Sequence, residues 1–136
     1  MSELAAIDRW LVAVLTGDST LHGLVADRIF DGIAPQGTLA PYIICQTQAP
    51  HDVAGVGAVR IMVESVYIIK CLAEGTSYST LHAIANRIDT LLHKASGTNA
   101  DGTVLGCVRE QPFKMAEETE GKQYRWLGGV YRIWAQ

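Results

Sequence analysis

The chain has 136 residues, a formal net charge of −3 at pH 7 and a sequence pI near 5.7. Proteins that grip nucleic-acid phosphates carry a basic surface, so this charge argues against tight binding to DNA or RNA. Hydrophobic residues make up 49% of the chain and charged residues only 18%, which indicates either a large core or a surface partly covered by neighbouring molecules, and we favour the second interpretation.

Two helices are predicted in the N-terminal third. The first has apolar residues at helical spacing, namely Leu4, Ile7, Leu11, Val14 and Leu15. Ser2 is its predicted N-cap and Gly17 its end. A shorter second helix is predicted to be capped by Ser19 or Thr20 and to end before the turn at Asp31-Gly32.

The next segment, residues 33–59, has Asp52 as its only charged residue. Within it, Tyr42-Ile43-Ile44-Cys45 predicts a buried strand, and residues 51–57 are predicted to form a flexible loop. Gly55-Val56-Gly57 comes before a strand, whereas a dinucleotide-binding glycine motif opens a helix. It is therefore interpreted as a hairpin loop and not as a phosphate-binding loop.

A long second strand is predicted over residues 58–72. One of its faces carries Ile61, Val63, Tyr67, Ile69 and Cys71. The other face begins with Arg60 and becomes apolar towards Ile68. A strand that is apolar on both faces is either central in its sheet or meets another chain.

The clearest helix of the chain follows this strand. Its apolar residues fall at helical spacing, namely Leu81, Ile84, Ala85, Ile88, Leu91 and Leu92. Thr76 or Ser77 opens it and Gly97 is its predicted end. A third strand is predicted near residues 103–111, and residues 122–135, rich in Tyr, Trp, Val and Ile, predict the last strand.

This order of elements predicts an α+β fold. We expect one domain, residues 1–136, with a mainly antiparallel sheet of about four strands, helices packed on one face, and the long helix between strands 2 and 3. Asp8 and Arg9 interrupt the N-terminal apolar residues, so neither a leader nor a membrane span is predicted. The chain is expected to be made in the cytoplasm.

The histidines predict no metal site. His22, His51, His82 and His93 are scattered and match no metal-ligand spacing. His82 and His93 lie about three helical turns apart, too far to share one ion, and are interpreted as solvated side chains.

The sequence also lacks the pattern of a catalytic nucleophile or a cofactor site. Ser65 and Ser79 lie outside any nucleophile-elbow motif. The three cysteines, Cys45, Cys71 and Cys107, are odd in number, far apart and within apolar segments. That distribution predicts buried, reduced thiols and no disulfide. We therefore expect a protein without enzymatic activity and without a cofactor.

Glu117, Glu118 and Glu120 form a compact acidic cluster between the last two strands. Its simplest interpretation is a solvated hairpin tip; the alternative is a negative patch that faces a partner or a lumen. The segment that follows holds three basic residues and no acid: Lys122, Arg125 and Arg132. Patches of opposite sign on one chain favour head-to-tail docking onto an identical copy.

The ordered motifs resemble a known family. Val25-Ala26-Asp27-Arg28-Ile29-Phe30 follows the N-terminal helices, and after a Pro/Gly stretch Ala40-Pro41-Tyr42-Ile43-Ile44 begins the first strand. A long second strand, a helix over residues 78–94 and an aromatic last strand complete the pattern. Most of the chain thereby resembles the tail-terminator, or tail-completion, proteins of long-tailed bacteriophages and prophages.

The resemblance implies a structural virion protein. Its subunits would form a ring, usually a hexamer, that caps the tail tube, stops its growth and provides the head-joining surface. The partners implied are other copies of the chain, the tail tube protein and a head-completion or connector protein. Genomic DNA would pass through the ring without sequence-specific binding, no membrane is involved, and the protein would lie at the head-proximal end of the tail.

Two loops are expected to face partners or the lumen, from their position alone. They contribute His51 and Asp52 at one site and Glu117, Glu118 and Glu120 at the other. Two other functions stay open at this point. One is a head-completion or neck connector protein of the same virion, and the other is a small-molecule-binding or enzymatic α+β domain with a site between sheet and helices.

Overall fold

The computed structural model describes residues 2–136 and contains three α-helices and seven strands. The helices are α1 (Glu3–Thr16), α2 (Ser19–Val25) and α3 (Ser79–Leu92). The strands are β1 (Ile29–Asp31), β2 (Tyr42–Thr47), β3 (His51–Ala54), β4 (Arg60–Glu74), β5 (Gly97–Asn99), β6 (Gly102–Thr119) and β7 (Lys122–Ala135). The predicted α+β class is confirmed.

Helices α1 and α2 begin at side chains that accept free N–H groups of their first turns. The Ser2 hydroxyl accepts a hydrogen bond from the Ala5 N–H over 3.3 Å, as predicted. The cap of α2 is Asp18, one residue before the predicted Ser19, because its carboxylate accepts from the Leu21 N–H at 2.9 Å. Helix α3 ends at Leu92, so the prediction that Gly97 ends it is wrong.

The sheet has more strands than the predicted four or so. Its order is β1-β2-β4-β7-β6-β5, and β3 also pairs with β4. The β1–β2 pair is parallel and the other pairs are antiparallel. The four long strands are the predicted ones. The three missed strands have only three or four residues each, too few to display an alternation of side chains.

The core lies between the helices and one face of the sheet. Its helical residues include Ile7, Leu11, Leu15, Leu21, Val25, Leu81, Ile84, Ile88 and Leu92. Its strand residues include Ile43, Cys45, Tyr67, Ile69, Cys71, Cys107, Tyr131 and Ile133. Ile61, predicted on this buried face, is 52% exposed. The reason is that pairing of β4 with β7 stops at Val63, so Ile61 lies beyond the core.

The opposite face of the sheet, here called the open face, carries the alternate residues. On β4 these are Glu64, Val66, Ile68, Lys70 and Leu72, and on β7 they are Trp126, Val130, Arg132 and Trp134. Except for Leu72, each of these side chains is half-buried. The prediction that the second face of β4 becomes apolar therefore describes this surface, which no helix covers within residues 2–136.

Strand β6 is 18 residues long, much longer than the predicted strand near residues 103–111. Residues 114–119, predicted as loop, pair with β7 in register, for example Lys114 with Leu127 and Glu117 with Tyr124. This pairing outweighs the weak strand propensity of the segment. Pro112 is tolerated because β5 pairs only with the first residues of β6, which leaves β6 at the sheet edge from there on.

Candidate interaction surfaces

The acidic cluster lies where β6 turns into β7. Glu120 and Gly121 form the turn with φ angles of 52° and 78°. Two positive φ angles in a two-residue loop suit the twist of the flanking strands. All three glutamates are exposed. The interpretation as a solvated hairpin tip is confirmed for Glu120, whereas Glu117 and Glu118 lie at the end of β6.

The three glutamates do not form a single patch, because adjacent residues of a strand point to opposite faces. Glu117 pairs with Tyr124 and shares the open face with Trp126. Glu118 lies on the face of the helices, where its carboxylate accepts a hydrogen bond from Gln123 Nε2 over 3.0 Å. The cluster seen in the sequence is therefore divided between two surfaces.

His51 and Asp52 lie at the other end of the sheet and not in a flexible loop. They begin β3, which pairs with β4 so that His51 faces Glu64 and Asp52 faces Val63. His51 Nε2 is 3.4 Å from a carboxylate oxygen of Glu64. The loop prediction is wrong here because backbone pairing to a long neighbouring strand orders the segment.

The turn between β3 and β4 is exposed and, apart from Arg60, has no charged residue. Residues 53–61 are here called the apolar tip. It contains a short 3-10 turn at Val56–Ala58. Val56 is wholly exposed, and Val59 and Ile61 are each more than half exposed. The interpretation of its glycines as part of a hairpin loop agrees with this position. An exposed apolar hairpin in a protein of this size indicates a contact surface.

A cleft of about 590 Å³ lies on the open face at the acidic end. We call it the acidic cleft. The segment of residues 34–40 forms one wall, and the rest of the lining is Tyr42, Leu72, Glu74, Glu117, Thr119, Lys122, Tyr124 and Trp126. The rings of Tyr42 and Trp126 meet edge to face at 6.3 Å. Burial raises the pKa of the Tyr42 phenol, and Tyr124 and Glu117 add to the shift.

Lys70 lies beside this cleft with its ammonium over two aromatic rings. Its Nζ is 4.4 Å from the centroid of the Trp126 ring and 5.4 Å from that of Phe113. Burial lowers the pKa of Lys70, while Glu117 opposes that change. The aromatic floor of the cleft thus already holds one cation by its π-faces.

The face of the helices carries a basic patch at the same end of the sheet, defined by Lys114 and Arg125 around Tyr78. Lys114 Nζ is 4.5 Å and Arg125 Cζ 5.9 Å from the centroid of the Tyr78 ring. The Tyr78 hydroxyl donates to the Met115 carbonyl over 3.2 Å, which fixes the ring against β6. Tyr78, Lys114 and Arg125 are far apart in the sequence, so no local motif predicted the patch.

Nothing in these surfaces forms a reactive centre. Burial raises the pKa of the three thiols, Cys45, Cys71 and Cys107, to about 12 each, and all three are buried, as predicted. Ser65 is fully buried and its hydroxyl has no partner within residues 2–136. His82 is exposed as predicted, whereas His93 is half-buried and its Nδ1 accepts the Arg109 N–H at 3.0 Å.

The part of the chain that the structure describes contains no group of three or more His, Cys, Asp or Glu side chains placed to hold a metal ion. None of its helices has both the length and the apolar character needed to cross a membrane.

Comparison with known proteins gives a family and a fold. The model of the family described as tail completion protein gp17 matches residues 9–128, which confirms the resemblance seen in the motifs. Among solved structures, a chain from the virion of the native gene transfer agent (GTA) particle superposes with a TM-score of 0.77 and 19% sequence identity. The match covers 98% of this chain and 97% of that chain. Among curated proteins, no sequence matches this chain.

Proposed function

This chain belongs to the tail completion protein gp17 family and is a structural, non-enzymatic protein of a phage-like virion tail; on this premise we propose that it forms a hexameric ring that caps the tail tube. The ring stops growth of the tube and provides the surface to which the head is joined. Its partners are the tail tube protein on one side and a head-completion or connector protein on the other.

The observation that carries this proposal is exposed apolar surface at both ends of the sheet. The apolar tip stands at one end. At the other end, Leu39 in the wall of the acidic cleft is 74% exposed. Strand β4 runs between these ends, and 15 residues of strand span about 50 Å. A subunit with apolar surface at two distant ends can contact different neighbours above and below the ring.

The acidic end also suits a channel for DNA. In the proposed ring Glu120, at the turn between β6 and β7, borders the lumen, where a carboxylate repels phosphates and lets the duplex slide without being held. Replacing Glu120 with Gln is expected to slow DNA ejection or to weaken head joining. Unchanged ejection together with unchanged head joining would remove the reason for placing this side chain at the lumen.

The direct experiment mixes the purified chain with assembled tail tubes and, separately, with the head connector. We expect a ring at one end of each tube by electron microscopy and loss of further tube growth. The double variant Val56→Ser/Val59→Ser, which removes apolar side chains from the tip, should weaken binding to one of the two partners. His82→Ser/Asn86→Ser on the exposed side of α3 is the matched control.

Two results would contradict the proposal. A stable monomer that fails to bind tail tubes would end it. Binding to the head connector alone would instead favour a head-completion or neck connector protein, the alternative within the same virion.

A further inference from the structure

We propose that adjacent copies in the ring contact each other by docking the basic patch of one subunit into the acidic cleft of the next. This inference rests on the proposed ring and names the contact within it. The occupant of the cleft is therefore a second copy of this chain, and the docking side chains are Lys114 and Arg125.

The first support is that the two surfaces lie on opposite faces of one sheet. Tyr124 pairs with Glu74 on one side and with Glu117 on the other, and all three side chains point to the open face. Arg125 is the next residue and points to the face of the helices, as does Lys114. Opposite faces can meet in a side-by-side arrangement of identical subunits without either surface contacting itself.

The second support is that the charged side chains of both surfaces form no ion pair within residues 2–136, although the Arg125 guanidinium donates to Gln123 Oε1 and to the Tyr124 carbonyl. Elsewhere, five arginines form ion pairs with carboxylates: Arg9, Arg60, Arg87, Arg109 and Arg132. Within residues 2–136, neither Lys114 nor Arg125 has a carboxylate within ion-pair distance, and neither Glu74 nor Glu117 has a basic group there. Unpaired charges of both signs thus gather at one end of the sheet.

The free charges of the two surfaces are opposite in sign. The cleft lining has two carboxylates, Glu74 and Glu117, against one ammonium, Lys122, and the Lys70 ammonium beside the cleft already occupies the face of the Trp126 ring. The basic patch has the cationic groups of Lys114 and Arg125 against the neighbouring carboxylate of Glu118. The attraction therefore lies between Lys114 and Arg125 of one subunit and Glu74 and Glu117 of the next.

The third support concerns closure of the ring. A pure rotation about an axis parallel to the strands moves every point without changing its height along the axis. Tyr124 of the cleft and Arg125 of the basic patch are consecutive residues of β7, so their heights differ by about 3.4 Å. Contact between surfaces at nearly equal heights permits a closed ring when the rotation between subunits divides a full turn, whereas a large height difference would generate a helical filament.

Charge reversal tests this contact. Glu74→Lys/Glu117→Lys and Lys114→Glu/Arg125→Glu should each abolish ring formation, because each places like charges across the interface. The quadruple variant with both pairs reversed should form rings again, since it restores opposite charges. Ring formation is measured by light scattering and electron microscopy, with assembled tail tubes added if the unmodified chain forms rings only on them.

A cysteine pair gives a second measurement that does not depend on the folding of charge variants. In Glu117→Cys/Lys114→Cys, mild oxidation should join many copies into a covalent ladder that extends beyond dimers, and neither single variant should give one. The native thiols are buried and stay out of the reaction. Glu117→Cys/Asn86→Cys, with the second cysteine on α3, is the matched control and should give no ladder.

The outcomes separate this contact from the function on which it rests. If the unmodified chain forms rings, but charge reversal has no effect and the cysteine pair gives no ladder, the proposed contact is overturned and the ring remains. If the unmodified chain forms no ring, free or on tail tubes, the proposed function fails and this contact fails with it. If both double variants lose ring formation and the quadruple variant recovers it, the proposed contact is established.

Discussion

The Nε of Arg28 donates a hydrogen bond to the carbonyl oxygen of Pro41 over 3.0 Å. Two residues further on, the Ile43 N–H donates to the Arg28 carbonyl at 2.9 Å. These bonds join the two motifs that carried the family resemblance, although they lie far apart in the sequence. They lead into the parallel pairing of β1 with β2, in which Ile29 faces Ile43. The motifs therefore belong together because they form one sheet edge.

Loss of the Arg28 side-chain bond should loosen this edge. We expect Arg28→Met to lower the free energy of unfolding by about 2 kcal/mol, since hydrogen bonds from charged groups contribute roughly 1.5 to 3 kcal/mol. Urea denaturation measures the change. Arg9→Met is the control: Arg9 is exposed and its ion pair with Asp101 should contribute less than about 1 kcal/mol. Equal losses in both variants would contradict the assigned role of Arg28.

The elements with a clear period could be predicted from the sequence. The apolar residues of α1 and α3 repeat at helical spacing, and the buried positions of α3, including Ile84 and Ile88, follow that period. The last strand, β7 (Lys122–Ala135), has the predicted bounds because aromatic and branched side chains dominate it. A long amphipathic or aromatic segment determines its own conformation, so local rules suffice there.

The short strands and the interaction surfaces could not be predicted in the same way. Strand β3 begins with His51 and Asp52, which have low strand propensity, and it is ordered by pairing with β4. The acidic cleft combines Tyr42, Leu72, Glu117 and Trp126, which come from four strands. Such a site depends on strand order and register, and a single sequence does not reveal either.

Gly128 marks a close approach between β4 and β7. A Cβ atom at this position would lie 2.6 Å from the Cα of Lys70 and would also meet the Ile69 carbonyl oxygen. Because both contacts are with backbone, neither strand can relax easily. We expect Gly128→Ala to lower the free energy of unfolding by about 3 kcal/mol or more, or to prevent folding.

Gly23→Ala is the matched control for this substitution. Gly23 lies in α2, and a Cβ atom there would have nothing within 4 Å. Alanine is the better helix former, so this variant should gain up to about 1 kcal/mol. Thermal and urea denaturation of both variants measure the difference. A Gly128→Ala protein as stable as the unmodified one would show that the two strands are not held this close.

Asp8 and Tyr67 form a half-buried hydrogen bond that should make stability depend on pH. The Tyr67 hydroxyl donates to Asp8 Oδ1 over 2.8 Å. Burial raises the pKa of Asp8 above its ordinary value of 3.8, although the bond to Tyr67 opposes that shift. The folded state therefore holds a proton that the unfolded state has released, and stability is lost as the pH rises from about 4 through the raised pKa.

Asp8→Asn removes this titration while its amide oxygen can still accept from Tyr67. We expect the free energy of unfolding of this variant to stay constant over that pH window. At pH 7 the variant should be at least as stable as the unmodified chain. Urea denaturation at intervals from pH 4 to pH 8 measures the effect. Asp27→Asn is the control, because Asp27 is almost fully exposed. An unchanged pH profile in Asp8→Asn would contradict the prediction.

The ion pair between Asp18 and Arg87 should have the opposite pH dependence. Arg87 donates to both carboxylate oxygens, at 2.8 and 2.6 Å, and holds α3 against the start of α2. These bonds, with that from the Leu21 N–H, lower the pKa of Asp18 from 3.8 to about 2. A depressed pKa gives stability that is present above about 3.8 and is lost as the pH falls towards 2.

Asp18→Asn isolates the charge, because asparagine is also a good N-cap and can still accept from Leu21. We expect a lower urea midpoint than that of the unmodified chain at pH 7, since the charge-assisted pair with Arg87 is gone. The two midpoints should converge as the pH falls from 4 to 2, where the unmodified carboxylate takes up its proton. Asp52→Asn is the control: its carboxylate lies 3.9 Å from Arg60 and is mostly exposed, so its midpoint should follow that of the unmodified chain throughout. A gap that persists unchanged at pH 2 would mean that the Asp18→Asn substitution disturbs the cap itself and that the charge of Asp18 contributes little.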